Sequence, residues 1–101
     1  MIRKEMDSVI SIVSDVTEIS SQEILSKSRQ ADIVDARCLC IKVLHTMGYL
    51  PSRISKYFGL TEVAIRRSLN LFDDRVHYNK LFVRMWKDIQ KQLEEKEKMT
   101  N

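Results

Sequence analysis

Two adjacent arginines, Arg66 and Arg67, follow a short run that begins at Thr61 and carries Glu62 and Ala64. On a helix these five side chains are left outside once the apolar positions turn inward. Arginine can bond guanine O6 and N7 in a bidentate way, glutamate can accept from cytosine, and alanine can contact a thymine methyl group. The pattern therefore predicts a helix face that reads the major groove of double-stranded DNA, although the same residues also suit an ordinary solvated face.

The residues before that face have the spacing of a helix-turn-helix. Ser55 is a small residue where two helices would cross, Gly59 follows four positions later at a turn that needs positive φ, and Ile65 faces the core six positions further on. We therefore predict a helix-turn-helix over about residues 51–72. Val63 or Leu60 is expected beside the inward residues of its second helix.

The first helix of this motif carries two further cations, Arg53 and Lys56. Basic side chains beside a reading helix commonly hold phosphates, which positions the protein on the duplex without reading its sequence. We expect both side chains to contact phosphates.

The rest of the chain also reads as helix, because two glycines and one proline are too few for a fold of short strands. We expect one domain, residues 1–101, folded as an all-α, compact six-helix bundle around its third helix. The expected helices are one over about residues 3–16, one from Ser20 to near Ser26, one from a cap at Asp32 to about Met47, one from Pro51 to near Phe58, one from a cap at Thr61 to about Phe72, and a long last helix from near Arg75.

Several helix ends carry local signals. Ser20 and Glu23 fit a capping box. Gly48 suits the position just after a helix, and Pro51 suits the first position of the next one. Asp73 and Asp74 are expected to end the fifth helix or cap the last.

The last helix carries an apolar stripe that is expected to belong mostly to the core. Its members are Tyr78, Leu81, Phe82, Met85, Trp86, Ile89 and Leu93. A long helix that projects past a small bundle would instead expose apolar surface and pair with another protein or a second copy. A helical protein-interaction module without DNA binding is therefore the alternative function.

The net charge of +3 is concentrated in the middle of the chain. Residues 27–67 hold eight basic against three acidic side chains, whereas residues 1–26 hold two against five. A basic patch on one part of a domain is typical of a protein that binds a polyanion.

Other classes of protein are not favoured by the sequence. No serine or cysteine has a visible base partner, so we predict no enzyme and no catalytic residue. Cys38 and Cys40 are expected to be reduced thiols of a cytoplasmic protein, with no second Cys/His cluster to bind a metal and no cofactor. No apolar run approaches the roughly 18 residues of a membrane span, so no membrane association is expected.

The order of these features resembles the C-terminal DNA-binding domain of the bacterial replication initiator DnaA, with a TrpR-like helix-turn-helix. The likeness lies in the residues Ile24-Leu25-Ser26-Lys27-Ser28-Arg29, Ala36-Arg37, Leu50-Pro51 and Phe58-Gly59. The resemblance implies that Arg29 enters the minor groove, that Lys27 contacts phosphate and that Arg37 contacts the DNA backbone.

The sequence also departs from that family. The family opens its reading helix with Gly-Gly-Arg-Asp-His-Thr-Thr-Val, whereas this chain has Gly59-Leu60-Thr61-Glu62-Val63-Ala64-Ile65, so the usual initiator box is not the expected target. No P-loop is present. We predict a stand-alone bacterial relative that binds DNA in replication initiation or transcription control. A homodimer and a replication or regulatory protein are its expected partners.

Overall fold

A computed structural model describes the backbone of residues 2–100 and the side chains of residues 3–97, and every regular element in that range is a helix. The helices are α1 (Ile2–Thr17), α2 (Ser21–Ile24), α3 (Ala31–Thr46), α4 (Pro51–Phe58), α5 (Glu62–Tyr78) and α6 (Lys80–Thr100). The all-α prediction, with six helices and a long last one, is confirmed.

Helix α3 lies at the centre of the bundle. Its buried side chains fall all around the helix, from Ile33 to Leu44, so it is covered on more than one side. The helices α1, α2, α4 and α5 all pack against it. A helix that is apolar on every side is stable only when neighbours surround it, and the expected central position of the third helix is therefore confirmed.

Most helix ends follow the local signals in the sequence. The Ser20 Oγ accepts from the Glu23 backbone N–H at 3.1 Å and donates to the Glu23 carboxylate at 3.1 Å. Gly48 has φ of +100° just after α3, and Pro51 occupies the first turn of α4. The cap at Ser20 and the places of Gly48 and Pro51 are confirmed, because each depends only on a few neighbouring residues. The capping box is formed in part, since the Glu23 carboxylate bonds the Ser20 hydroxyl where the full motif uses the Ser20 backbone N–H.

The start of α3 differs from the prediction. The helix begins at Ala31, and Gln30 takes the capping position without a side-chain hydrogen bond. Asp32 lies inside the first turn, where its carboxylate accepts from the Ile33 N–H at 2.9 Å. The expected cap at Asp32 is wrong, since serine turns in the preceding loop already order the chain before this point.

The boundary between the last two helices also differs. Asp73 and Asp74 neither end α5 nor cap α6, because both are exposed and the helix continues past them to Tyr78. The break falls at Asn79, whose extended backbone ends α5 and whose Oδ1 accepts from the Phe82 N–H at 3.0 Å. An asparagine oxygen here satisfies an amide that the first turn of α6 leaves without a helical partner.

This shifted break changes the apolar stripe. Phe82 and Ile89 are fully buried, and Phe72 packs edge-on against Trp86 with ring centroids 4.8 Å apart. Tyr78 and Leu81, however, are 88% and 65% exposed, so the expectation that they belong to the core is wrong. Both side chains lie at the corner where one helix gives way to the next.

Candidate nucleic-acid interface

The turn between α4 and α5 has the geometry that a helix-turn-helix needs. Gly59 is left-handed, with φ of +67°, and the N–H of Leu60 donates to the Ser55 carbonyl at 3.0 Å. Ser55 is buried, and its hydroxyl donates to the Ser52 carbonyl at 2.8 Å instead of occupying space between the helices. Thr61 then caps α5 by accepting from the Ala64 N–H at 3.1 Å.

The first half of α5 presents most of the predicted reading face to solvent. Ile65 is fully buried and fixes the rotation of the helix. Thr61, Glu62, Arg66 and Arg67 are exposed, while Ala64 is half-buried.

Val63 and Leu60 were the two residues that the sequence left as alternatives for the inner side. The structure leaves it 58% exposed, and Leu60 is the one that packs against the core. Val63 precedes Arg66 and Arg67 by three and four residues, so it lies beside them on the outer face. The sequence could not decide which of the two residues faces inward, because the choice depends on how α5 packs against the core.

Glu62 and Arg66 form an ion pair across one helical turn, with 3.8 Å between their charged atoms. Both side chains are more than half exposed, so water screens the pair and it contributes little to stability. Arg66 can therefore exchange Glu62 for another acceptor at small cost. Arg67 has no such partner in the described part of the chain.

The loop between α2 and α3 is ordered by serine side chains. The Ser26 hydroxyl donates to the Glu23 carbonyl at 2.6 Å and accepts from the Ser28 N–H, while the Ser28 hydroxyl accepts from the Gln30 N–H. Side-chain oxygens of this kind replace backbone partners in tight turns. The side chains of Lys27 and Arg29 are left exposed at the surface of the loop.

Arg37 holds this loop from the side of α3. Its guanidinium donates to the carbonyls of Ile24 at 2.9 Å, Ser26 at 2.6 Å and Ser28 at 3.1 Å. Partial burial lowers the pKa of Arg37 from its ordinary value, and the three carbonyls compensate for the water that the guanidinium loses. The geometry supports a role in positioning the loop, whereas its expected contact with the DNA backbone stays a prediction.

The α2–α3 loop and α5 line one groove. Lys27, Ser28 and Arg29 form one side of it, and Ala64, Arg67, Ser68 and Leu71 of α5 form the other, with Arg37 between them. Five of the ten predicted contact residues, far apart in sequence, thus meet around a single concave surface. Ser68 and Leu71 were not predicted, although their spacing of four and seven residues from Ala64 places them on the same side of α5.

Arg53 and Lys56 lie elsewhere on the motif. Both are exposed on α4, where with Ser52 they line a shallow depression next to residues 48–50. Both lie outside the groove, and their expected contacts with phosphates stay a prediction.

The described residues contain neither a metal site nor a membrane span. No group of three or more histidine, cysteine or acidic side chains is placed to hold a metal ion. Of the six helices described, none combines the length and apolar character that crossing a bilayer requires.

The chain resembles known proteins over part of their length. No family model matches the chain. The chromosomal replication initiator protein DnaA from two strains of Leptospira biflexa serovar Patoc is 31% identical over 71 residues, which is 69% of this chain and 16% of the relative. The chain is thus similar, over most of its own length, to about one sixth of a replication initiator.

Proposed function

We propose that this protein binds double-stranded DNA in a sequence-specific manner. The first half of α5 lies in the major groove, and the loop before α3 reaches the neighbouring minor groove. The observation that carries this proposal is the shared groove, because it joins the cations of the loop to Arg67 of the reading helix. An ordinary solvated helix face would not require a basic loop beside it that Arg37 holds in place.

Similarity to a chromosomal replication initiator protein supports the same reading. The loop and the helix-turn-helix are the parts that resemble the initiator's DNA-binding domain. We therefore assign the chain to replication initiation or to transcription control, as a diverged relative with its own target site.

The residues take distinct roles in this proposal. Arg67 and Arg66 donate to base edges, and Arg66 leaves Glu62 to do so. Arg29 approaches the minor groove, where the negative potential attracts arginine. Lys27, Arg53 and Lys56 contact phosphates, while Arg37 positions the loop that carries Lys27 and Arg29.

The exposed Val63 adds a base preference to this face. A valine offers no hydrogen bond, so its favourable neighbour in a major groove is the methyl group of thymine. A site selected from random DNA should therefore contain a thymine beside the bases that Arg66 and Arg67 contact. Replacing that thymine by deoxyuridine removes the methyl group alone and should weaken binding by the wild type more than by Val63→Ala.

The decisive measurement is fluorescence anisotropy of a labelled random-sequence duplex at several salt concentrations. We expect saturable binding whose affinity falls steeply as salt rises, because bound phosphates release counterions. Lys27→Ala should weaken binding to all sequences alike and flatten the salt slope by about one. Lys87→Ala, which removes the same charge from α6, is the matched control and should change binding less.

A second comparison tests sequence reading. On a site selected from a random pool, the Arg66→Ala/Arg67→Ala double variant should bind more weakly and discriminate less against mismatched sites. Full affinity in this variant would refute the groove assignment. Absence of any binding at low salt would refute DNA binding altogether and favour the protein-interaction function.

A further inference from the structure

The outer face of α6 carries a basic stripe that the DNA site does not use. Lys80, Arg84, Lys87 and Lys91 are all exposed and recur at intervals of three or four residues, so they follow one side of the helix for about 17 Å. None of these four cations forms an ion pair with any side chain among residues 3–97. Asp88 lies beside Arg84 and Lys91, and the exposed Glu94 and Glu95 follow Lys91 by one turn, so the positive charge is concentrated between residues 80 and 91.

The outer face of α1 carries a shorter acidic stripe. Asp7, Ser11 and Asp15 recur every fourth residue over about 12 Å, and Glu18 follows just after the end of the helix, where its φ is +61°. No lysine or arginine occurs between Glu5 and Lys27. Asp7 accepts from the Tyr57 hydroxyl at 2.5 Å, while Asp15 and Glu18 are exposed without an ion pair in the described range.

The apolar side chains beside the two stripes match as well. The exposed Leu81 and Tyr78 lie at the N-terminal end of the α6 stripe, and the half-buried Ile19 lies at the C-terminal end of the α1 stripe. An antiparallel pairing of α1 with α6 of another molecule places these two ends together. Each carboxylate row then meets a row of cations, and Leu81 gains an apolar neighbour.

From this complementarity we infer that the protein associates with a second copy of itself through α1 of one molecule and α6 of the other. Helices α1 and α6 pack against each other within one molecule, so a two-fold dimer makes the contact twice. The interface is mostly charged, and its affinity is therefore modest and strongly dependent on salt. The inference does not depend on DNA binding, because the stripes lie on helices outside the groove.

The test is sedimentation velocity of the protein alone over a range of concentrations, at low and at high salt. The wild type should form a dimer at low salt and dissociate at high salt. Lys80→Glu/Arg84→Glu and Asp15→Lys/Glu18→Lys should each raise the dissociation constant by about tenfold or more, since each places like charges opposite one another. Arg53→Glu/Lys56→Glu makes the same charge change on α4 as the first variant and should leave the dimer intact.

Mixing the two stripe variants gives the strongest test. One variant then has two acidic stripes and the other two basic ones, so each α1 again faces an α6 of opposite charge, and the mixed dimer should form. Lys87→Glu/Lys91→Glu repeats the α6 reversal if the first variant does not fold by circular dichroism. A wild type that stays monomeric at low salt, variants that still dimerise, or a mixture that stays monomeric would each overturn the inference.

Discussion

Replacement of Arg37 by alanine should lower the free energy of unfolding more than any substitution on the exposed face of α5, because Arg37 holds the α2–α3 loop. The variant loses three hydrogen bonds from a charged donor, at 2.6 to 3.1 Å, and leaves the carbonyls of residues 24, 26 and 28 to find water. Hydrogen bonds to charged groups contribute about 1.5–3 kcal/mol each, but they are not additive and this site is partly open to solvent. We expect a loss of about 2–4 kcal/mol in the free energy of unfolding, or roughly 10–20 °C in Tm.

Urea and thermal unfolding followed by circular dichroism measure this loss, and two variants serve as controls. Arg37→Lys retains the charge but cannot bridge three carbonyls from one planar group, so most of the stability should still be lost. Arg53→Ala removes an exposed arginine and should change the free energy of unfolding by less than about 0.5 kcal/mol.

The same variants separate positioning from direct contact with DNA. If Arg37 positions the loop, Arg37→Lys should bind DNA more weakly even though its charge remains. If Arg37 instead contacts phosphate, Arg37→Lys should keep its affinity, and Arg37→Ala should fold normally with a salt slope reduced by about one. That second combination of results would refute the positioning role.

Three further predictions concern the frame that supports the site. Gly59→Ala should lower the free energy of unfolding by about 1 kcal/mol in urea titrations, because a Cβ meets no atom within 4 Å but φ of +67° disfavours any side chain; an unchanged midpoint would show that the turn relaxes. Asn79→Ala should cost about 1 kcal/mol in the same assay by removing the α6 cap, whereas Asn79→Asp, which keeps the oxygen, should cost little. Burial raises the pKa of Cys38 to about 12, so its thiolate forms only as pH approaches that value, and at pH 8 mass spectrometry should find the native protein unmodified by iodoacetamide; rapid labelling without denaturant would contradict this.

The sequence predicted those parts of the fold that depend on a few adjacent residues. The Ser20 cap, the left-handed Gly59 and the Thr61 cap all occur where expected, since each is a choice between local backbone conformations. The prediction that Asp73 and Asp74 end the fifth helix or cap the last was wrong, because aspartates occur both at helix ends and on exposed helix surfaces. The continued packing of α5 through Phe72 and Val76 decided between them.

The candidate site was less accessible from the sequence, because its form depends on contacts between distant residues. The Arg37 side chain reaches carbonyls 9 to 13 residues away, and a backbone carbonyl has no signature in the sequence. Likewise, the choice between Leu60 and Val63 as the inward residue depends on how α5 rotates against the core. Residue types thus predicted which side chains contact DNA, while tertiary packing showed that one of them, Arg37, holds the α2–α3 loop.

The hydrogen bonds from Arg37 to the loop have an evolutionary consequence. Because the guanidinium holds main-chain oxygens, the conformation of the loop does not depend on which side chains occupy positions 27 and 29. Those two positions are free to change without unfolding their surroundings. On the proposed function, substitutions at position 27 would then change the affinity for DNA, and substitutions at position 29 would change the contact with the minor groove. The arrangement also gives protein engineers a rigid frame on which the two outward residues of the loop can be randomised together.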